Sequence, residues 1–237
     1  MWWAALQAAA RLPDPITRIT AHRMLGYAWS RMGLHDEATG HLDQALDLAV
    51  HHQDPTQQAH THLALAIAWE RQGVDRRALA HARHALNLRR ALNVPVWDAE
   101  ALSAVGRYAA RLGEFDTARD HCQAALALLR HHPDPDGEAD TLDSLGLIAH
   151  RTGDHRQAIE HYHQALTLYG TLGNAYANAD TLDHIGHPHV AFDQHDQARA
   201  AWREALKMYQ EQGRSADAER VQRHLDELDS PGDPTRK

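Results

Sequence analysis

The sequence predicts an all-α solenoid of antiparallel helix hairpins, and three observations predict it. First, residues recur every 40 positions without insertion: Gly33, Gly73, Gly113 and Gly153; Ala38, Ala78, Ala118, Ala158 and Ala198; and Ala-Leu at 45-46, 85-86, 125-126, 165-166 and 205-206. A fixed period of roughly 20 to 50 residues marks one supersecondary unit stacked on copies of itself, because a single copy is too small to bury its own apolar face. Second, positions 22, 25, 28, 29 and 32 and their equivalents, mostly apolar, follow the i, i+3, i+4, i+7 spacing of a helix. Third, the apolar share is rich in alanine and leucine and only 6% of residues are aromatic, which suits closely packed helices better than strands.

Residues 1–12 align with the second half of a repeat, since Ala5-Leu6 falls in the Ala45-Leu46 column. They read as a helix B whose helix A is missing, so that Trp2, Trp3 and Leu6 leave an apolar face for an upstream continuation of the array or for another chain. Residues 13–213 read as five repeats, at about 15–54, 55–94, 95–134, 135–174 and 175–213. In each, helix A carries the stripe just described and closes at the Gly33 column, where a residue without Cβ takes the left-handed conformation. Helix B follows with a second stripe, Ala38, Leu42, Ala45, Leu46 and Ala49 in the first copy. The small alanines let the two helices approach and the large residues fill the space beside them. Pro15, Pro55, Pro95 and Pro135 open helix A, three of them after an aspartate suited to capping.

The fifth copy departs from the pattern, with Asp193 in the glycine column and Pro188 inside its helix A. A kink near residues 184–188 is expected. Residues 214–228 form a capping helix with the stripe Ala218, Val221, Leu225 and Leu228, and 229–237 a disordered tail without an apolar residue from Ser230 onward.

The formal net charge of −8 argues against a direct nucleic-acid groove, which needs a basic stripe. No apolar run approaches the roughly 20 residues that cross a bilayer, and the N-terminus lacks a signal peptide's basic region and cleavage site. The one cysteine, Cys122, supports no disulfide framework. A cytoplasmic protein without membrane contact is expected.

With Leu-Gly at 25-26 and 145-146, Val105-Gly106, Ile185-Gly186, the Gly33 turns, the Ala38 column and the Ala45-Leu46 pair, the chain resembles the tetratricopeptide repeat family over nearly its whole length. The resemblance implies a right-handed superhelix whose concave groove is lined by helix A. The longer period is similar to that of the C-terminal repeat region of actinobacterial regulators of the SARP and STAND type, in which a nucleotide-binding NB-ARC switch precedes a tetratricopeptide array. It implies a bacterial protein of signal transduction or transcription regulation. The carboxylate clamp of chaperone-binding members needs asparagines in the 24 and 27 columns; none stands there.

Mapped onto this sequence, the groove columns give Arg31, Arg71, Arg111 and Arg151 on one rim, suited to carboxylates. The floor is Tyr27, Ile67, Arg107 and Leu147, with His187 in the fifth copy, and the other rim carries Glu100, Asp140, Asp143, Asp180 and Asp183. Such a surface suits an amphipathic protein or peptide segment. His41, His81, His121 and His161 lie 40 residues apart and read as packing between repeats rather than one metal site. His184, His187 and His189 with Asp180 and Asp183 have i, i+3 spacing, but Pro188 perturbs their geometry, so no metal is expected. No catalytic motif or cofactor loop stands out. The reading is a non-enzymatic protein- or peptide-binding scaffold, the sensor or docking region of a larger regulator. The alternatives are homo-oligomerisation through the N-terminal face and sensing of a small molecule or signal peptide.

Overall fold

A computed structural model describes residues 14–229. The half-repeat expected at 1–12 and the tail beyond Asp229 lie outside the described residues. The chain divides into two compact units, Met1–His132 and Pro133–Lys237. Among the described residues there are eleven α-helices and no strand.

In the first unit α1 (Pro15–Arg31) packs on α2 (His35–His51), α3 (Pro55–Arg71) on α4 (Asp75–Leu92), and α5 (Pro95–Arg111) on α6 (Phe115–Leu129). In the second, α7 (Pro135–Arg151) packs on α8 (His155–Leu172), α9 (Ala175–Ala191) on α10 (His195–Glu211), and α11 (Ser215–Asp229) covers α10. Successive hairpins touch within each unit, through α2 and α3, α4 and α5, and α8 and α9. The fold is an all-α solenoid arrangement of hairpins, with α1, α3, α5, α7 and α9 as the helices A.

Local chemistry sets the helix ends. The Asp14 carboxylate accepts from the Thr17 amide at 2.9 Å and Asp54 from the Gln57 amide at 3.0 Å, each satisfying a first-turn donor that the helix itself leaves open. Asp134, at φ −136°, makes no such bond, although the Asp-Pro pattern predicts one. Helix A ends in a six-residue closure: Leu34 N to Trp29 O at 3.0 Å, repeated by Val74 to Trp69, Glu114 to Ala109 and Asp154 to Ala149. The intervening Gly33 stands at φ 75°, a conformation that L side chains seldom adopt. In the fifth copy Asp193 takes φ 56° and the same closure forms, Gln194 N to His189 O at 2.8 Å; aspartate is among the few residues that tolerate it. Nor does Pro188 interrupt its helix: α9 runs unbroken from Ala175 to Ala191. Pro188 sits near the C-terminal end, where the missing N–H removes a single i to i−4 bond.

The hairpins close on small residues. Ala38, Ala78, Ala118, Ala158 and Ala198 are fully buried, as are Ala45, Ala85, Ala125, Ala165 and Ala205. Helix A contributes the matching absence of a side chain. A Cβ at Gly26 would run into Leu42, at Gly106 into Cys122, at Gly146 into Tyr162 at 2.6 to 2.8 Å, and at Gly186 into the Trp202 indole. The second copy has alanine in both facing columns, Ala66 and Ala82, and both are fully buried. A large residue thus stands on helix B only where helix A offers glycine.

The end of the second unit is closed by α11. Its Ala218, Val221 and Leu225 are buried in one cluster with Trp202, Ala205 and Tyr209 of α10, and Leu228 packs against it.

This packing sets the outcome of Gly106→Ala. Alanine gains about 1 kcal/mol of helix propensity, but the added methyl overpacks the contact with Cys122, at a cost of about 1–3 kcal/mol. Chemical denaturation will show a net loss of stability. Adding Cys122→Ala, which recreates the Ala66 and Ala82 pair, will make the double variant more stable than the sum of the two single changes.

Candidate functional site

The groove columns fall into two sets, each within its own unit. The first unit holds Tyr27, Arg31, Ile67, Arg71, Glu100, Arg107 and Arg111; the second holds Asp140, Asp143, Leu147, Arg151, Asp180 and Asp183.

In the first unit, the floor positions Tyr27, Ile67 and Arg107 come from α1, α3 and α5, one from each hairpin. Met24 is 58% and Tyr27 40% exposed, which places apolar surface on neighbouring turns of α1. Ile67 and Arg107 are half-buried. Arg31 is exposed and Arg71 half-buried, both in the last turn of their helices, where a cation also interacts well with the helix dipole. Arg111 is engaged within the chain: its Nε donates to Asp75 Oδ1 at 2.7 Å and its Nη1 lies 3.8 Å from Glu70 Oε1. Tyr108, on the preceding turn of α5, donates its hydroxyl to Glu70 Oε2 at 3.2 Å. These bonds hold α5 to the α3–α4 hairpin.

Glu100 shows how the acidic column is used. It pairs at 2.7 Å with Arg89, whose side chain is only 1% exposed while that of Glu100 is 57% exposed. Arg89 occupies the helix B column that holds Ala49, Leu129, Tyr169 and Tyr209 in the other copies. In the second unit the same two columns meet again. Tyr169 donates its hydroxyl to Asp140, and Tyr209 donates to Asp180 at 2.9 Å, both across 29 residues of one hairpin. Asp140 and Asp180 therefore close their own hairpins, whereas Glu100 joins α5 to the preceding hairpin.

The remaining acids of the second unit bridge successive hairpins. Asp143 on α7 accepts from Thr181 Oγ1 at 2.8 Å and from His184 Nδ1 at 3.2 Å, both on α9. Burial favours the neutral imidazole at His184, but the Asp143 carboxylate, with Asp180 and Asp183 nearby, outweighs it and raises the group to about 9. This is a charge-assisted bond. Asp180 also receives Arg214 Nη2, whose Nε donates to Asp217 at 2.8 Å; Asp217 in turn receives Arg220 at 2.6 Å, and Arg220 reaches Asp183 at 2.8 Å. The Arg214 guanidinium stacks over Tyr176 and Tyr209, with centroid distances of 4.0 and 4.3 Å. This chain of alternating charge ties α9 to α11. Leu147 is half-buried on α7, and Arg151 is exposed at its end.

The histidine columns pack within hairpins in the first two copies, where the sequence suggested packing between repeats. His22 on α1 lies over His41 on α2 with ring centroids 5.6 Å apart, and His62 on α3 faces His81 on α4 with their Nδ1 atoms 3.0 Å apart. Helix A supplies a second histidine column that the sequence reading did not single out. Burial, with His81 and His84 beside it, lowers His62 to about 4. The triplet His184, His187 and His189 does not converge: His184 is on Asp143, and His189 Nδ1 bonds Gln194 Oε1 at 2.7 Å. Burial pushes the Cys122 thiol up to about 12, so it is a packing group rather than a nucleophile.

Two shallow surface depressions lie at turns between helices, one lined by Arg156, Ile159, Glu160, Phe192 and Gln194, the other by Gly33 to Glu37 and Gln72. Among the described residues no helix is long and apolar enough to cross a membrane.

Residues 97–171 match the tetratricopeptide repeat family model. No curated protein matches the sequence. The fold is similar to that of BtubC (BKLC) from P. vanneervenii, at 18% identity and a TM-score of 0.65, over 90% of this chain and 89% of that one. It is similar to a Rap protein complexed with Competence and Sporulation Factor, at 15% identity and a TM-score of 0.64, over 92% of this chain and 65% of that one. A third likeness is to a Signal Transduction ATPase with Numerous Domains protein with a tetratricopeptide repeat sensor from Pyrococcus horikoshii, at 16% identity and a TM-score of 0.63. It covers 86% of this chain but only 32% of that one, so this chain spans about a third of that protein's length. The likenesses show a tetratricopeptide-like solenoid fold.

The two kinds of candidate residue separate by stability. Asp180→Ala strands both Tyr209 and the mostly buried Arg214, and will lower unfolding free energy by about 1–3 kcal/mol. Arg151→Ala touches an exposed helix end and will change it by no more than about 0.5 kcal/mol. Urea titration of both variants checks this.

Proposed function

We propose that the chain is a non-enzymatic scaffold that binds a protein or peptide segment, and that the binding surface is the helix A face of the first unit. The observation that carries this is the exposed apolar pair Met24 and Tyr27 on α1, with Ile67, Arg31, Arg71 and Arg107 in the same repeating helix A columns. The second unit's acids are largely taken up in bonds that close and join its hairpins, whereas this face keeps apolar area at the surface next to guanidinium groups. An apolar anchor flanked by cations suits an amphipathic segment that carries its own carboxylates: the anchor removes apolar area from water, and the arginines fix register through forked hydrogen bonds.

The Rap complex and the sensor-bearing ATPase are consistent with such a use of this kind of solenoid. On that footing the chain serves as the sensor or docking region of a larger cytoplasmic regulator in bacterial signalling or transcription, with Leu147 and Arg151 as the equivalent positions of the second unit. Self-association through Trp2, Trp3 and Leu6 rests on residues outside those described.

Selection of binders from a displayed peptide library on the full chain, followed by fluorescence anisotropy with the synthetic peptides, tests the reading. Enriched peptides will combine an apolar anchor with acidic side chains. Arg71→Glu and Arg107→Glu will each weaken them about tenfold or more, equivalent to about 1.4 kcal/mol, without loss of helix content. Peptides that bind the reversed-charge variants as tightly as the unaltered chain overturn it.

A further inference from the structure

We propose that Asp183, His187 and His224 form a binding site for a divalent transition-metal ion, zinc being the best chemical match, that ties α9 to the terminal helix α11. One ligand atom from each of the three residues lies within 4.8 Å of the others. Asp183 and His187 are four residues apart on α9, hence on one face one turn apart. His224 comes from α11. A tetrahedral zinc with bonds of about 2.0–2.2 Å holds its ligands about 3.3–3.5 Å apart, so the three side chains close by roughly 1 Å around the ion.

A second observation points to a cation independently of that spacing. The Asp183 side chain is 4% exposed, and while its Oδ2 accepts from Arg220 Nη2 at 2.8 Å, its Oδ1 is buried without a hydrogen-bond donor among the described residues. A buried carboxylate oxygen left without a partner is costly, and it is rare in folded chains. A metal ion on Oδ1 supplies the missing positive partner and leaves the Arg220 bond in place. The guanidinium lowers the charge available to the ion, which favours a metal that draws on nitrogen ligands over one that needs a purely anionic oxygen shell.

The two imidazoles supply that nitrogen character and are already oriented. His187 and His224 stand edge to face with centroids 4.9 Å apart and planes at 82°. The Trp202 indole packs against both, at 5.5 Å from His187 and stacked at 5.1 Å on His224. Trp202 is itself fixed, since its Nε1–H donates to the Asp183 carbonyl oxygen at 3.0 Å. Two imidazoles and one carboxylate suit zinc and its transition-metal neighbours rather than calcium or magnesium, which take oxygen ligands. Three protein ligands leave a fourth position for water. The local spacing in α9 grouped Asp183 and His187 with Asp180, His184 and His189, of which both histidines are engaged elsewhere; the third ligand comes from a helix whose own spacing carries no signal.

The test uses the full chain stripped of metal with a chelator. Because the chain has 21 histidines, zinc is titrated against a competing chelator so that only a tight site registers, and cobalt(II) absorption reports coordination geometry. The expected result is one tight equivalent of zinc, a raised Tm, and a tetrahedral cobalt spectrum. His224→Gln, on the partly exposed face of α11, will keep the metal-free Tm and lose affinity by more than the ~10–100-fold that an outer partner's loss costs. His52→Gln, in the other unit, will change neither. Should His224→Gln unfold, histidine NMR of the unaltered chain decides, with the rings of His187 and His224 shifting first and saturating at one equivalent. No tight equivalent in the unaltered chain, or a tight equivalent that survives His224→Gln or leaves those two rings unshifted, overturns the proposal.

Discussion

Helix A can lie against helix B only where one of the two facing residues is glycine or both are as small as alanine. That steric condition underlies the rest of the structure. At the point of closest approach the interior is as dense as a crystal, with no room for an extra methyl, and the chain meets the condition in each copy with a different pair. Gly26 admits Leu42, Gly106 admits Cys122, Gly146 admits Tyr162, Gly186 admits Trp202, and Ala66 is matched by Ala82. The fully buried alanine columns on helix B extend the contact along the hairpin. The terminal helix and the imidazoles of His187 and His224 gather around the largest of these knobs, Trp202.

Close approach of backbones leaves polar groups to be satisfied at the edges of the hairpin, and the acidic columns are largely used for this. Asp140 with Tyr169 and Asp180 with Tyr209 close their hairpins from equivalent positions, while Glu100 pairs with Arg89 of the preceding hairpin. Asp143 and Asp183 extend the same logic to the next hairpin through Thr181, His184 and Arg220. Removing one partner from such a pair leaves the other buried and unmatched, which is more costly than the bond itself is stabilising. On the first unit's helix A face Met24 and Tyr27 keep apolar area at the surface.

Much of the fold was legible in the sequence because its causes are local or periodic. The 40-residue register of glycine and alanine marks turns and close contacts directly, and the helix bounds follow proline and glycine columns. What sequence reading missed is pairing that the period does not encode. Arg89 sits in an otherwise apolar or aromatic column and is fully buried, and only the fold reveals that its partner stands eleven residues on in the next helix A. One local rule was also overruled, since Asp134 makes no side-chain bond to the first turn of α7; Pro188 costs α9 a hydrogen bond near its end, and the helix runs on to Ala191. The rims were legible as columns of charge, but a column does not tell whether a carboxylate faces a ligand or a tyrosine.

If the facing-column condition governs the hairpins, one substitution should have opposite outcomes at equivalent positions. The most direct measurement compares the unfolding free energies of Cys122→Leu, facing Gly106, and Ala82→Leu, facing Ala66. The first is predicted to leave stability unchanged or raised, as Leu42 opposite Gly26 already shows leucine to fit. The second is predicted to cost about 1–3 kcal/mol, recovered in large part when Ala66→Gly is added. Equal losses at both positions, or no recovery with Ala66→Gly, would contradict the account.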